Sequence, residues 1–234
     1  MNEINLKEFL IKELHIDNCS EIINKFSIYF DELVETNKIT NLTAIRDEEG
    51  IIEKHFIDSL CSAKYIDFNN KSLCDLGTGA GFPGIPLAII FPSLKVTLVE
   101  ANNKKIKFLN SVVEKLSLNN VTIINQRAES LKNLKNSFDF VSARAMTRLN
   151  VLLELSIPLC KVHGFLLAYK LFDVENEINE AKHAFNELDC KLQNIYKYNL
   201  PISNDPRSLL VIEKIGKTKN RYPRDFSKIS SSPL

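Results

Sequence analysis

The glycine-rich run at residues 77–84 is the segment of this chain best suited to binding a ligand. It reads Gly-Thr-Gly-Ala-Gly-Phe-Pro-Gly and holds four of the seven glycines of the chain. Glycine lets a backbone turn sharply and approach a ligand closely, because it has no Cβ. The run follows a short apolar stretch ending at Leu76 and leads into an apolar stretch typical of a helix. We therefore predict that Gly77, Gly79 and Gly81 bind a cofactor where a strand ends.

Three further candidate residues lie at or just after the ends of the next three predicted strands. Glu100 comes about twenty residues after the loop, the spacing at which an acid can hold ribose hydroxyl groups. Glu129 and Arg144 follow the next two runs. Ligands of open parallel sheets bind at the carboxyl ends of the strands, so all three should meet at one crevice. There Glu129 can contact an adenine edge, and Arg144 can pair with a carboxylate or a phosphate.

The glycine pattern alone admits two cofactors. Gly79, Gly81 and Gly84 satisfy the dinucleotide spacing G-x-G-x-x-G, so an NAD-dependent oxidoreductase remains an alternative. Asp75 lies directly before the loop, where dinucleotide sites favour an apolar strand end, and this favours S-adenosylmethionine (SAM) instead. The sequence has no GxxxxGK[ST] motif, which argues against a nucleoside triphosphatase.

Motifs for nucleophilic, hydrolytic or metal chemistry are missing from the sequence. There is no GxSxG or HExxH, and the five cysteines form no CxxC pair. Such spacing predicts reduced thiols and neither a disulfide nor a metal site. His55 and Asp58 lie one helical turn apart, a spacing typical of a structural hydrogen bond but also open to a pair facing a substrate.

The elements expected to position these residues change in kind near residue 70. Residues 1–70 have apolar side chains at helical spacing and predict an N-terminal helical extension. In residues 71–215 short apolar runs alternate with helical stretches, which predicts an α/β domain with a mostly parallel seven-stranded sheet. The last two strands are joined by only a few residues and must form an antiparallel hairpin. The predicted strands are 72–76, 95–100, 121–127, 138–143, 164–170, 191–200 and 208–213.

Charge is distributed unevenly although the net charge is only +1. Residues 1–70 carry seven basic against fourteen acidic side chains, and residues 71–234 carry twenty-three against fifteen. A polyanionic partner should therefore face the second part. The segment 216–234 is predicted to be a basic C-terminal tail, and its RNA-binding candidates are Lys219, Arg221 and Arg224.

Composition excludes several classes of protein. The 44% hydrophobic and 25% charged residues are typical of globular chains and exclude fibrous or disordered ones. No apolar run is long enough to span a bilayer. Glu3, Glu8 and Glu13 interrupt the apolar N-terminus, which argues against a targeting peptide. We expect a soluble cytoplasmic protein without a membrane partner, and a monomer.

The motifs, taken in chain order, resemble those of the bacterial ribosomal RNA small subunit methyltransferase G family. The likeness covers almost the whole chain, and GAGFPGIPL is its most specific run. The resembling segments are Asn41 to Ile45, His55 to Leu60, Asp75 to Leu87, Leu98 to Glu100, Arg127 to Glu129, Ser142 to Ala145, Val211 to Lys214 and Tyr222 to Arg224.

This resemblance implies a class I SAM-dependent methyltransferase with a Rossmann-like fold, whose SAM-binding domain is residues 71–215. It implies methylation of N7 of guanine 527 in the 530 loop of 16S rRNA, with the small ribosomal subunit as partner. The cofactor contacts that it implies are Gly77, Phe82, Ala128, Glu129 and Arg144. A non-catalytic RNA-binding protein with the same fold remains an alternative.

The implied chemistry agrees with the missing motifs. Guanine N7 has an in-plane lone pair and no proton to lose, so alignment with a methyl donor is sufficient and no general base is required. We therefore predict no catalytic acid or base, and positioning of the substrate by Arg144 and His55.

Overall fold

Seven strands form one sheet in this structure, a computed structural model that describes residues 1–234. They are β1 Ser72–Leu76, β2 Lys95–Glu100, β3 Val121–Asn125, β4 Phe138–Arg144, β5 Cys160–Leu171, β6 Cys190–Asn199 and β7 Pro206–Lys214. Their order across the sheet is β3-β2-β1-β4-β5-β7-β6, with β1 to β5 parallel. Strand β7 is antiparallel to both of its neighbours, β5 and β6. The predicted architecture, a mostly parallel seven-stranded sheet with an antiparallel C-terminal hairpin, is confirmed.

Several predicted strand boundaries differ from the structure, most of them by one or two residues, and those at the end of β3 and the start of β5 have identifiable causes. Strand β3 ends at Asn125, two residues early, because the chain turns there toward a short 3₁₀-helix, Ala128–Ser130. Strand β5 starts at Cys160 and not at residue 164, because Phe138 of β4 pairs with Cys160 across a bulge. Such irregularities arise from tertiary pairing, which apolar periodicity does not reveal.

Helices cover both faces of the sheet. They are α1 Ile4–Leu14, α2 Ser20–Asn37, α3 Glu48–Ile51, α4 Asp58–Leu60, α5 Gly84–Ile90, α6 Asn103–Lys115, α7 Leu149–Ser156, α8 Glu175–Glu180, α9 Lys182–Glu187 and α10 Phe226–Ser231. A π-helical turn, Ile52–Ile57, joins α3 to α4, and a 3₁₀ turn, Cys61–Lys64, follows. The Asp47 side chain caps α3 by accepting from the Gly50 amide at 2.7 Å. No helix combines the length and the apolar composition that crossing a bilayer requires.

The N-terminal helices share one hydrophobic core with the first face of the sheet. Leu6, Tyr29 and Phe56 are fully buried in the same cluster as Leu73 and Phe140 of the sheet. Burying a large apolar side chain contributes about 1.5–3 kcal/mol, so this face is held by many such contributions. The division at residue 70 stays a prediction, and the helices before it are packed against the sheet.

Buried polar contacts fix the helical turn that carries His55 and Asp58. The buried Glu53 carboxylate accepts hydrogen bonds from the amides of Ile202 at 2.6 Å and Ser203 at 2.8 Å, in the turn between β6 and β7. The Tyr169 hydroxyl of β5 lies 2.6 Å from Ser62 Oγ. The turn is thereby held over the carboxyl ends of β4 and β5.

The C-terminal segment leaves the sheet at the opposite edge. Lys214, fully buried at the end of β7, donates to the Cys160 carbonyl at 2.9 Å and to Asn136 Oδ1 at 2.7 Å, beside the start of β5. Beyond it, Tyr222 and Ile229 are buried in the hydrophobic cluster of the second face. The segment predicted as a tail is therefore packed against the domain.

Candidate functional site

The glycine loop joins β1 to α5 and has one open position. Gly77, Gly79 and Gly81 have φ angles of 62°, 63° and 98°, which side chains rarely adopt. A Cβ at Gly79 would meet nothing closer than 3.9 Å, from the Gly77 carbonyl and Lys105 Nζ. A ligand can therefore approach the backbone at Gly79.

Packing explains two other glycines of the loop. A Cβ at Gly81 would lie 2.5 Å from Ile85 Cδ1 and 2.7 Å from the Tyr29 hydroxyl. A Cβ at Gly84 would collide with Leu98 and with the carboxylate that precedes the loop. Spacing in the sequence does not indicate this packing, because Tyr29 and Leu98 belong to other elements that only the fold brings against the loop. Cofactor contact at Gly77, Gly79 and Gly81 stays a prediction, and Gly79 is the position left open for it.

Asp75 holds both ends of the loop together. Its fully buried carboxylate accepts from Thr78 Oγ1 at 2.6 Å, the Gly84 amide at 2.9 Å and Ser142 Oγ at 2.8 Å. Burial raises the pKa of Asp75 to about 6, although these hydrogen bonds and Arg144 lower it. The acid that distinguished this loop in the sequence therefore acts as its internal anchor.

Glu100 meets the open glycine directly. Its Oε2 accepts from the Gly79 amide at 3.0 Å, and its Oε1 accepts from the amides of Ala101 at 2.9 Å and Asn102 at 2.8 Å. A carboxylate offers about four acceptor sites, so the backbone takes three and leaves about one for a ligand hydroxyl. The structure thus brings Glu100 and the loop together.

Ala128 and Glu129 lie at the same edge of the sheet, in the short 3₁₀-helix that follows β3. Ala128 is buried, whereas Glu129 is half-buried and makes no hydrogen bond or ion pair. A carboxylate without a protein partner beside this crevice is available to a ligand. Their contact with the cofactor stays a prediction.

Arg144, at the end of β4, contacts three residues of the helical segment that lies over it. Its Nη1 donates to the Lys54 carbonyl at 2.9 Å and lies 3.3 Å from Asp58 Oδ2, and its Nη2 lies 3.2 Å from His55 Nδ1. A guanidinium has five N–H donors, so Nε and one Nη2 hydrogen remain for a ligand. His55 and Asp58, which are paired in the sequence, are thus joined through Arg144.

His55 is held as a neutral ring by this arrangement. A guanidinium can only donate, so His55 Nδ1 accepts and its proton lies on Nε2, 2.7 Å from Thr43 Oγ1. Burial, and then the charge of Arg144, lower the pKa of His55 to about 3. Both ring nitrogens are engaged at neutral pH, so His55 cannot take up a proton from a substrate.

Phe82 supports this cluster from the loop side. Its buried ring stacks on the His55 ring, with centroids 4.6 Å apart and planes 10° apart, and the Arg144 guanidinium lies 5.1 Å from its centroid. On another side it stacks on Tyr29, whose hydroxyl donates to the Ala80 carbonyl. Phe82 therefore supports the rings of His55 and Tyr29 and the guanidinium of Arg144, and direct contact with a cofactor stays a prediction.

Asp58 also lies near Arg207, a residue of the crevice that the sequence did not predict. Its carboxylate accepts from the Tyr198 hydroxyl at 3.0 Å and lies 3.9 Å from Arg207 Nε. Arg207 pairs with Leu171 of β5 on one side and with Tyr198 of β6 on the other. Only the hairpin register brings this arginine to the crevice, so a pattern in the sequence could not find it.

A cavity of 540 Å³ lies between Arg144 and the ends of β5 and β7. Basic side chains line it together with the carboxylates of Asp58, Asp173 and Glu177, and the basic ones are Lys54, Arg144, Lys170 and Arg207. Each of these cations has a carboxylate partner, which for Lys54 is Asp205 at 2.9 Å and for Lys170 is Glu177 at 2.6 Å, so an anionic ligand would compete with these pairs. This volume is within the range of small-molecule sites. The cavity can therefore hold a planar ring and offer cations to adjoining anionic groups.

The predicted RNA-binding residues of the C-terminal segment lie apart from this cavity. Lys219 Nζ lies 2.8 Å from Glu187 Oε1, and Arg221 pairs with the same carboxylate. Arg224 donates from Nε at 2.8 Å and from Nη2 at 2.6 Å to the fully buried Glu154. Each of the three thus has a structural partner, and their contact with RNA stays a prediction.

The cysteines offer no nucleophile to this site. All five are buried and unpaired. Burial raises the pKa of Cys160 and of Cys190 to about 12, and only a thiolate is strongly nucleophilic.

A model of the family described as rRNA small subunit methyltransferase G matches residues 22–205. A ribosomal RNA small subunit methyltransferase G of Bacillus subtilis is 41% identical over 237 residues, which cover 99% of each chain. One from Staphylococcus carnosus is 43% identical over 90% of each chain.

Solved structures show the same fold at low identity. M. jannaschii TYW2 in complex with AdoMet superposes with a TM-score of 0.58 at 20% identity, over 74% of this chain and 80% of that one. A SAM dependent methyltransferase from Aquifex aeolicus gives a TM-score of 0.57 at 16% identity, over 76% of this chain and 98% of that one. The fold of the chain is that of class I SAM-dependent methyltransferases.

Proposed function

We propose that this chain, which belongs to the ribosomal RNA small subunit methyltransferase G family, transfers the methyl group of SAM to N7 of guanine 527 in the 530 loop of 16S rRNA. The observation that carries the proposal is the juxtaposition of two sites at one edge of the sheet. The open Gly79 and Glu100 form one of them, and the cation-lined cavity beside Arg144 forms the other.

The residues of the crevice fit SAM. The missing Cβ of Gly79 leaves room for the ligand, and the remaining acceptor site of Glu100 suits a ribose hydroxyl. Glu129 can accept from an adenine amine, and one of the two free N–H groups of Arg144 suits the carboxylate of SAM, which leaves the other for the substrate. When bound, SAM supplies a methyl group on positively charged sulfur, which a nitrogen lone pair can attack.

NAD is a poorer fit than SAM. The sheet ends in an antiparallel hairpin, with β7 inserted between β5 and β6, and so lacks the second mononucleotide-binding half of a dehydrogenase. A solved structure with this fold contains AdoMet. Together with family membership, this supports the methyltransferase and not the oxidoreductase.

The residues of the cavity position the target guanine and do not take part in proton transfer. Guanine presents N7 and O6 as acceptors on one edge, so a cation of the cavity can bind O6 while N7 stays free to react. His55 is neutral and has no free lone pair, and no proton has to leave N7. We assign the acceleration to orientation by Arg144, with His55 fixing the guanidinium.

Cations around the cavity suit the phosphates of the loop. Lys54, Lys170 and Arg207 lie at its wall, and each cation that neutralises a phosphate releases counterions. Lys219, Arg221 and Arg224 stay proposed as a second group of RNA contacts. Because one chain supplies the loop, Glu100 and the cavity, we further propose that it acts as a monomer, in the cytoplasm where ribosomes assemble.

The division of the chain is proposed in the same terms. Residues 71–215 bind the cofactor, and residues 1–70 support the site through His55, Asp58 and Tyr29. Residues 216–234 form a basic C-terminal segment.

Methyl transfer to small ribosomal subunits tests the function. Subunits that lack this modification should take up about one labelled methyl group from SAM each, at N7 of guanine 527. Subunits reconstituted with 7-deazaguanosine at that position have no N7 and should take up none. Label elsewhere in the RNA would refute the assigned target, and binding of SAM and subunits without transfer would favour the non-catalytic alternative.

A further inference from the structure

Phe172 presents an exposed aromatic ring at the rim of the cavity. It directly follows β5, and 42% of its surface is exposed, whereas the preceding Leu171 is 71% exposed. Large apolar side chains normally gain about 1.5–3 kcal/mol from burial. Two that stay in water side by side, next to a substrate cavity, indicate a contact surface.

Neighbouring strands hold the backbone of Phe172 and contact its ring. The buried Ser208 of β7 donates from its Oγ to the Phe172 carbonyl at 2.9 Å. Lys197 Nζ of β6 lies 4.7 Å from the centroid of the ring. Lys197 makes no ion pair with a carboxylate within 4.0 Å, so the ring and the cation form an exposed pair with an unbalanced positive charge.

This pair borders the cavity directly. Leu171 and Asp173, the residues on both sides of Phe172, line the cavity, and Arg207 pairs with Leu171 across the strands. A ligand that fills the cavity and extends beyond it would therefore meet Phe172 next.

Single-stranded RNA has the chemistry that matches this surface. Its bases stack on exposed aromatic rings, and its phosphates pair with nearby cations. Resting on the function proposed above, we propose that Phe172, with Lys197 against its ring, is a stacking platform for the base adjacent to the target guanine. Such a platform would hold the neighbouring nucleotide while the guanine occupies the cavity.

The unpaired charge of Lys197 favours RNA over a protein segment. Lys197 lies against the Phe172 ring without a carboxylate partner, whereas Arg207 is within 4.0 Å of Asp58 and Asp205. An apolar protein partner would leave the unpaired Lys197 without an anion, whereas a phosphate would supply one.

Fluorescence of 2-aminopurine tests stacking itself. Two loop RNAs carry this base on the 5′ or the 3′ side of the target guanine, and each is bound to the full chain in the presence of SAM. With one of them, the bound RNA should be brighter with Phe172→Ala than with the parent protein, because the quenching ring is gone. Phe172→Trp should restore the quenching.

Kinetics on small subunits provide the second readout. Stacking on an aromatic ring contributes about 1–3 kcal/mol per base, so Phe172→Ala should raise the KM for subunits about five- to hundredfold. The Kd for SAM should not change. Val162→Ala removes an apolar side chain of similar exposure, 44%, near the start of β5 and serves as the control without either effect.

The outcomes separate this proposal from the proposed function. A parent protein that transfers no methyl group to rRNA overturns the function, and the platform with it. A parent that methylates guanine 527 while Phe172→Ala leaves fluorescence and KM unchanged overturns the platform alone. A raised KM with unchanged fluorescence of both RNAs also overturns it, since Phe172 would then contact a ribosomal protein.

Discussion

Nη2 of Arg144 lies 3.2 Å from Nδ1 of His55, and this contact makes the histidine a neutral acceptor. The imidazole proton is left on Nε2, toward Thr43 Oγ1. The one histidine of the crevice therefore positions an arginine and is not available as a base. This arrangement suits methylation of a ring nitrogen that has no proton to lose, and it would not suit a reaction that needs a base.

The pH dependence of stability should reveal the neutral state of His55. Its pKa is about 3 in the folded protein and about 6.5 when unfolded. Below pH 6.5 the unfolded chain therefore binds a proton that the folded one does not, and stability falls as the pH falls. The loss is about 1.4 kcal/mol per pH unit, or about 2 kcal/mol between pH 6.5 and pH 5.

Asp75 acts in the opposite direction, since its pKa is raised to about 6 and its folded form gains stability as the pH falls through that range. A variant isolates the contribution of His55 from it. Urea denaturation gives the free energy of unfolding of the parent and of His55→Gln at pH 7.5 and at pH 5. The difference between the two proteins should be about 2 kcal/mol smaller at pH 5, because only the parent loses the His55 contribution. Exposed His183→Gln should follow the parent at both values. A constant difference for His55→Gln would show that folding does not lower the pKa of this ring.

Gly79 and Gly81 should respond differently to substitution. Gly79→Val places a branched side chain in the open position, so the SAM affinity of the folded protein should fall at least tenfold in calorimetry, and the φ of 63° should cost about 1–3 kcal/mol of stability. Gly81→Ala should lower stability by about 1–3 kcal/mol through the overlap of its Cβ with Ile85 and Tyr29, without filling the open position. Normal SAM binding by folded Gly79→Val would remove the loop from the cofactor site.

The sequence predicted the parts of the site that depend on strand order. Parallel strands bring Gly79, Glu100 and Arg144 to one edge wherever such a sheet forms. It did not predict Arg207, whose place depends on the register of β7 against β5. It also missed Tyr29, which reaches the loop only through the packing of α2.

The C-terminal segment shows the same limit. Its basic composition predicts a tail that contacts RNA, but composition does not show which carboxylates pair with it. The buried Tyr222 and Ile229, and the pairing of Arg224 with Glu154, are tertiary contacts. Local sequence could not indicate them because Glu154 lies on α7, 70 residues before Arg224, and Glu187, which accepts from the Tyr222 hydroxyl, lies on α9, 35 residues before Tyr222.

Glu100 should contribute both to loop shape and to SAM affinity. Charge-assisted hydrogen bonds contribute about 1.5–3 kcal/mol, so Glu100→Ala should weaken SAM binding about ten- to hundredfold. Glu100→Gln keeps one acceptor oxygen and should lie between the parent and alanine. Titration calorimetry measures both, and thermal unfolding checks that the loop amides of Ala101 and Asn102 tolerate the change. Equal affinity in all three proteins would exclude Glu100 from the site.

Arg224 should be required for stability. Its partner Glu154 is fully buried, and removing one member of a buried ion pair costs about 3–5 kcal/mol. Arg224 is itself in contact with water, so Arg224→Ala should lower the free energy of unfolding by about 3 kcal/mol, the lower end of that range. Glu154→Gln in the same background should recover part of the loss, since it removes the unpaired charge. An unchanged unfolding curve for Arg224→Ala would show that the pair does not form.

Lys219 and Arg221 are the residues of this segment with which RNA contact can be tested without unfolding the protein. Both are exposed, and they share the single carboxylate of Glu187, so one positive charge remains unbalanced. Each lost phosphate contact lowers the salt slope of RNA binding by close to one unit. In the double alanine variant, the negative slope of log affinity against log salt should therefore be shallower by about two units. SAM affinity and the unfolding curve should not change. If the slope of the double variant equals that of the parent, the cations of the cavity carry the phosphate contacts. In that case Lys54→Ala should make the salt dependence of RNA binding shallower, although the double alanine variant of Lys219 and Arg221 does not.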